Sequence, residues 1–164
     1  LWAGWRSTYI DDVANEAPTF AADVCVFCRI LQSGLPDEST YVVWRGTHAF
    51  AILNAYPYTS GHLLVMPFRH VADLSDVTDD EAHELWATLR SAATAVRAAY
   101  APDGMNIGAN LGRAAGAGVP GHFHLHALPR WAGDTNFMTS VAEVRVLPEP
   151  LDRTYAKLNE AWPR

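Results

Sequence analysis

His122-Phe123-His124-Leu125-His126-Ala127-Leu128-Pro129-Arg130 alternates imidazoles with apolar side chains over its first six residues. Side chains in a β-strand point alternately to opposite faces. A strand from His122 to Leu128 therefore presents His122, His124 and His126 on one face and buries Phe123, Leu125 and Ala127 on the other. Imidazole can supply a nucleophilic or basic nitrogen near neutral pH, a donor for phosphate oxygens or a metal ligand, and a row of three can divide these roles. Three unrelated surface histidines on an edge strand are the bland alternative. Strict alternation running into Leu-Pro-Arg argues against it.

Immediately upstream, the loop from Gly112 to Gly121 is rich in glycine, including Gly118. Such a loop lets backbone N–H groups approach a phosphate closely, and Asn110 just before it adds an amide donor. On its own this is the composition of a flexible connector; its position leading into the histidines favours a phosphate cradle.

Further out, Tyr41 to Arg45, Ala49 to Asn54 and His62 to Met66 read as consecutive antiparallel strands separated by turn residues, and Met105 to Leu111 as another. Thr78-Asp79-Asp80-Glu81 fits a capping box opening a helix that ends before Pro102, with Ala82, Leu85, Trp86, Leu89, Ala93 and Val96 on its apolar stripe. A second helix is expected from Asp152 to Trp162 within a C-terminal segment 151–164. Trp2, Trp5, Tyr9 and Val13 have the spacing of a helical arm over residues 1–17. The expected architecture is α+β: one domain spanning 1–164, with an antiparallel sheet of about five strands and helices packed on one side.

The 164 residues are 49% hydrophobic, enough for one buried core. No apolar run approaches a membrane span, and the opening residues Leu1-Trp2-Ala3-Gly4-Trp5-Arg6 lack the pattern of a secretory signal, so a soluble, cytoplasmic protein is expected. A net charge of −6 without a stripe of Lys and Arg speaks against nucleic acid as a partner. A small anionic ligand needs only a few placed donors. Cys25 and Cys28, the only cysteines, form a C-x-x-C pair: a redox couple, half of a metal site, or two buried thiols.

The segment His122 to Leu128 resembles the signature of the histidine-triad superfamily, and the resemblance runs through nearly the whole chain. Cys25-Val26-Phe27-Cys28-Arg29-Ile30 is similar to the family's C-I-F-C-K-I segment, and Gly61-His62-Leu63-Leu64-Val65-Met66-Pro67 to its G-H-x-L-V-x-P strand. Arg130-Trp131-Ala132-Gly133-Asp134-Thr135-Asn136-Phe137-Met138, the Trp-rich N-terminal arm and Asn54-Ala55-Tyr56-Pro57-Tyr58 resemble a bacterial branch that includes actinobacterial diadenosine tetraphosphate phosphorylases.

The resemblance implies roles for particular residues. His124 falls at the family's nucleophile, which attacks the α-phosphorus to form a nucleotidyl-histidine. His126 would hydrogen-bond the phosphoryl oxygens, and His62 falls where the family keeps a further histidine beside the triad. Asn54 stands where many members carry an acidic residue that binds the ribose hydroxyls, a task an amide can perform. Phe27, Ile30 and Ile52 match the apolar walls of the base site; by pattern alone they read as ordinary core. His70 and His122 match the nitrogen ligands that complete a structural zinc site with Cys25 and Cys28 in zinc-containing members. A metal-free reduced pair and a redox pair are the competing readings. The family's Gln before the triad is absent: the chain has Gly116-Ala117-Gly118 and one extra residue before His122, so loop N–H groups or Arg113 would have to assist the leaving group.

The implied function is cleavage of dinucleoside polyphosphates, by inorganic phosphate or by water, through a nucleotidyl-histidine intermediate. Cleavage of nucleoside phosphoramidates or other adenylyl compounds shares the same first step. A non-catalytic nucleotide sensor is the reading from another class, and a nucleophile at His124 speaks against it. The family also implies a homodimer whose C-terminal segment shapes the partner's site. Trp131 is its expected apolar anchor, or else a residue that stacks on the base or covers the phosphates.

Overall fold

A computed structural model describes residues 25–134 and 149–164. The expected N-terminal arm and the stretch from Thr135 to Met138 lie outside the described residues. Five strands form one sheet: β1 (Val42–Arg45), β2 (Ala49–Leu53), β3 (Leu63–Pro67), β4 (Gly104–Ala109) and β5 (Leu125–Arg130), in the order β1-β2-β3-β5-β4. Every neighbouring pair is antiparallel. The histidine-bearing strand β5 thus sits between β3 and β4.

All residues of β2 and β3 are buried, so the central strands are covered on both faces. Ala49, Ala51, Leu53, Leu63 and Val65 point into one core, and Phe50, Ile52, Leu64 and Met66 into another. The first core is closed by two helices, α3 (Asp79–Tyr100) and α4 (Leu151–Ala161), as expected for one side of the sheet. The second is closed by a short helix α1 (Val26–Gln32), whose Phe27 and Cys28 are buried against the sheet, while a single turn α2 (Asp37–Thr40) leads into β1. Neither α1 nor α2 has enough length to show periodicity in sequence.

The capping box of α3 is formed: Glu81 N–H donates to Thr78 Oγ1 at 3.3 Å, and the Glu81 carboxylate accepts from Thr78 N–H at 2.9 Å. The same carboxylate takes two guanidinium bonds from Arg69, at 3.0 and 2.7 Å. The buried stripe is Leu85, Leu89, Ala92 and Val96 with Ala93 and Ala95. Trp86 is 61% exposed and Ala82 is exposed, so these two expected stripe members are corrected. At about 100° per residue the stripe is centred on the 85-89-92-96 line, and both lie off it.

The sheet also corrects the extent of the histidine-bearing strand, expected from His122 to Leu128. Its ladder begins at Leu125, so His122 and His124 precede it and only His126 is paired, opposite Leu64 and Gly108. The alternation nevertheless persists, with Phe123 and Ala127 buried in the first core and His122 and His124 turned toward the second. Among the described residues no helix is long and apolar enough to cross a membrane.

Candidate active site and metal centre

Leu53↔Leu63 closes the β2–β3 register, and Asn54 N–H donates to the His62 carbonyl at 3.0 Å just beyond it. A spacing of eight residues in sequence thereby becomes a cross-strand contact. Gly61, which delivers His62 to the site, has φ +83, and a Cβ there would meet the Tyr100 ring at 3.0 Å. Glycine satisfies both constraints.

Hydrogen bonds define the tautomers of three imidazoles. The backbone N–H of Tyr58 can only donate, and it donates to His62 Nδ1 at 3.2 Å. His62 Nε2 therefore carries the proton and donates to His126 Nδ1 at 2.9 Å. His126 in turn has its own proton on Nε2, a donor in a ring that lines the cleft described below. His124 is set the opposite way: its Nδ1–H donates to the His122 carbonyl at 2.7 Å, leaving a lone pair on Nε2. Burial pushes the His124 pKa below the ordinary imidazole value, although the His122 carbonyl pulls the other way. The ring is thus neutral at pH 7, as a nucleophile must be.

His124 and His126 lie edge to face with centroids 5.0 Å apart, and His62 and His126 are 5.2 Å apart. The two triad rings form part of the wall of an open cleft of about 700 Å³. Phe27, Ile30, Ile52, Asn54 and Gly118, all expected from sequence, line it as well. Asn110 and Trp131 do not line it: Asn110 Nδ2 donates to the Gly116 carbonyl at 3.5 Å and so braces the glycine loop, while Trp131 N–H donates to Asp134 at 3.1 Å. Arg113 opens a single 3-10 turn (Arg113–Ala115) and is exposed.

Tyr58, marked in the sequence only as the end of the Asn54–Tyr58 segment and not as a site residue, joins the site. Its ring stacks on His126 at 6.1 Å and lies 4.7 Å from His62, and its backbone sets the His62 tautomer. Tyr41 and Arg29 also line the cleft. Nothing in the spacing of these residues marks them, because each reaches the cleft from a loop or a helix with no repeating pattern.

His122 serves a different centre. Its Nε2–H donates to the Pro67 carbonyl at 2.9 Å, which leaves the Nδ1 lone pair facing Cys25 Sγ at 3.4 Å and Cys28 Sγ at 3.7 Å. His70 Nδ1 lies 3.4 Å from Cys28 Sγ. One ligand atom from each of Cys25, Cys28, His70 and His122 falls within 4.8 Å of the others, a cluster that could hold a metal ion. Burial keeps the His122 pKa down to about 4, so its nitrogen is available as a neutral ligand. Burial, followed by the nearby Cys25, pushes the Cys28 thiol up to about 11. Two sulfurs, two imidazole nitrogens and a carbonyl orienting one imidazole match the donor set and outer support of a tetrahedral site.

The family model described as HIT domain matches residues 36–133. The chain is 39% identical to an AP-4-A phosphorylase of Mycobacterium tuberculosis, an alignment that covers 100% of this chain and 84% of that protein. It is 32% identical to Protein hit of Bacillus subtilis over 71% of this chain and 77% of that protein. Among solved structures, a Zn-bound histidine triad family protein from Mycobacterium smegmatis superposes with a TM-score of 0.69 at 31% identity, covering 86% of this chain and 94% of that one. With its sheet, its paired histidines and these matches, the chain belongs to the histidine-triad, or HIT, family.

Proposed function

We propose that this protein is a nucleotidyl-transferring enzyme that cleaves dinucleoside polyphosphates through a covalent intermediate on His124. The observation that carries this reading is the opposed protonation of two neighbouring rings that both line one cleft: His124 has its lone pair on Nε2, and His126 has its proton there. His124 Nε2 attacks the α-phosphorus, a P–N bond forms, and the P–O bond to the leaving phosphate chain breaks. His126 stabilises the charge that develops on the phosphoryl oxygens, with His62 holding its ring. An acceptor then restores His124 by attacking the same phosphorus. Phe27, Ile30 and Ile52 hold the base, and the loop around Gly118 approaches the phosphates.

The likeness to an AP-4-A phosphorylase supports inorganic phosphate as the acceptor. The test is incubation with diadenosine tetraphosphate, with and without inorganic phosphate. ADP plus ATP formed only with phosphate establishes phosphorolysis; AMP plus ATP without it establishes hydrolysis instead. No cleavage under either condition refutes the reading.

Two further features belong to this proposal. Cys25, Cys28, His70 and His122 hold a structural zinc, which ties α1 and its Phe27 to the segment that carries the triad. The chain, read as a single domain, works as a homodimer. In support, β4 is one of the two edge strands of the sheet and is largely exposed, with Ile107 at 47% and Leu111, just beyond it, at 44%. Trp131, placed off its own cleft, would act at the dimer interface or on the partner's substrate.

A further inference from the structure

We propose that Tyr58 is a positioning residue whose ring seals the His62–His126 hydrogen bond from the cleft and so holds His126 for phosphoryl transfer. The three rings form a closed triangle. Their centroids are 4.7 Å apart for Tyr58 and His62, 5.2 Å for His62 and His126, and 6.1 Å for Tyr58 and His126. One side of that triangle is the 2.9 Å bond from His62 Nε2 to His126 Nδ1. Tyr58 and His126 line the cleft, whereas His62 does not and is only 1% exposed. The Tyr58 ring thus covers His62 on its cleft side.

The loop that carries this ring is fastened to three other elements. Thr59 Oγ1 donates to the Pro129 carbonyl of β5 at 3.2 Å, and Ser60 Oγ accepts from Glu149 N–H, just before α4, at 2.8 Å. Gly61 packs against the ring of Tyr100 at the end of α3. Glu149 is held in turn, because its carboxylate accepts from the Tyr100 hydroxyl at 2.8 Å and from Lys157 Nζ at 2.7 Å. Anchored at the three positions that follow it, Tyr58 is a fixed wall of the cleft.

A fixed wall matters at this place. Charge that develops on phosphoryl oxygens is stabilised most by donors that need not reorganise, and a water competing for either nitrogen of the His62–His126 bond would free the His126 ring to turn. A flat aromatic ring excludes that water by its area, so the task belongs to the ring of Tyr58 and its hydroxyl is dispensable for it.

The inference rests on the nucleotidyl-transfer reading of the site. With diadenosine tetraphosphate as substrate, Tyr58→Phe keeps kcat within about threefold of wild type, while Tyr58→Ala lowers it about tenfold or more and moves KM less than about threefold. A raised KM at unchanged kcat in Tyr58→Ala would make the ring a nucleotide-binding surface. A loss in Tyr58→Phe as deep as in Tyr58→Ala would assign the effect to the hydroxyl. Either result overturns the proposal.

Proton exchange in the resting protein reads the seal without substrate, so it remains decisive if diadenosine tetraphosphate is not cleaved at all. The His62 Nε2–H gives a 15N-coupled proton signal that exchanges slowly with water in wild type and in Tyr58→Phe. In Tyr58→Ala the backbone N–H at position 58 still sets the His62 tautomer, but the signal is lost to fast exchange. A signal already absent from wild type, or one that persists unchanged in Tyr58→Ala, refutes the seal. Thermal melting of each variant reports folding; should Tyr58→Ala fold poorly, Tyr58→Val, which retains more apolar surface and still opens the gap, takes its place in both measurements.

Discussion

His124 donates from Nδ1 to the main-chain oxygen of His122 across 2.7 Å, while His122 turns its own Nδ1 toward Cys25 Sγ at 3.4 Å. One short piece of backbone therefore joins His124, the proposed nucleophile, to the cysteine cluster. Phe27, between the two cysteines in sequence, packs against both rings, with centroids 5.5 Å from His122 and 5.7 Å from His124.

From this coupling follows a metal-dependence prediction. Protein prepared without chelator should contain about one zinc per chain, and Cys25→Ser or His70→Ala should lose it together with a fall in Tm, because structural zinc contributes directly to folding free energy. Turnover should fall as well, although none of these residues lines the cleft. Elemental analysis returning substoichiometric zinc in the wild type would dismiss the site.

His124→Ala should lower kcat by roughly 10³-fold or more, because the covalent step loses its nucleophile. Affinity for a nucleoside monophosphate should stay within about threefold, since ground-state binding comes from the apolar walls and the phosphate contacts. Single-turnover kinetics and calorimetric titration read the two separately. Near-native turnover in this variant would be incompatible with the covalent mechanism.

Acid should weaken the α3 N-terminus. The Arg69 guanidinium first, with the Thr78 bonds, holds the Glu81 carboxyl at about 2 against its ordinary 4.5, despite burial acting in the opposite direction. A depressed carboxyl stabilises the fold above its unfolded pKa, and that contribution disappears as pH falls from about 4.5 to 2. Glu81→Gln should cost about 1–2 kcal/mol at pH 7, and the difference from wild type should shrink across that acid range. Denaturant melts at several pH values check it, and a constant difference would contradict the assigned pairing.

Trp131→Ala should weaken self-association or reduce activity, even though Trp131 does not line the cleft of its own chain. Light scattering at micromolar concentration, run alongside turnover, distinguishes these effects. A fully active wild-type species at the 18.0 kDa monomer mass would rule out an obligate dimer.

Local chemistry made much of this molecule legible from sequence. The Thr78–Glu81 capping box, the β-rich run from Ala49 to Asn54 and the C-x-x-C pair each depend on residues within a few positions of one another, and the histidine spacing indicated that His122 and His124 would share a face. Periodicity could not centre the α3 stripe, because Leu85 and Trp86 are equally apolar in sequence and only the sheet selects between them. Nor could it divide the triad. His122 meets Cys25 from 97 positions away and His126 meets His62 from 64, so the protonation of each ring is decided by partners that only the folded chain brings within hydrogen-bond distance.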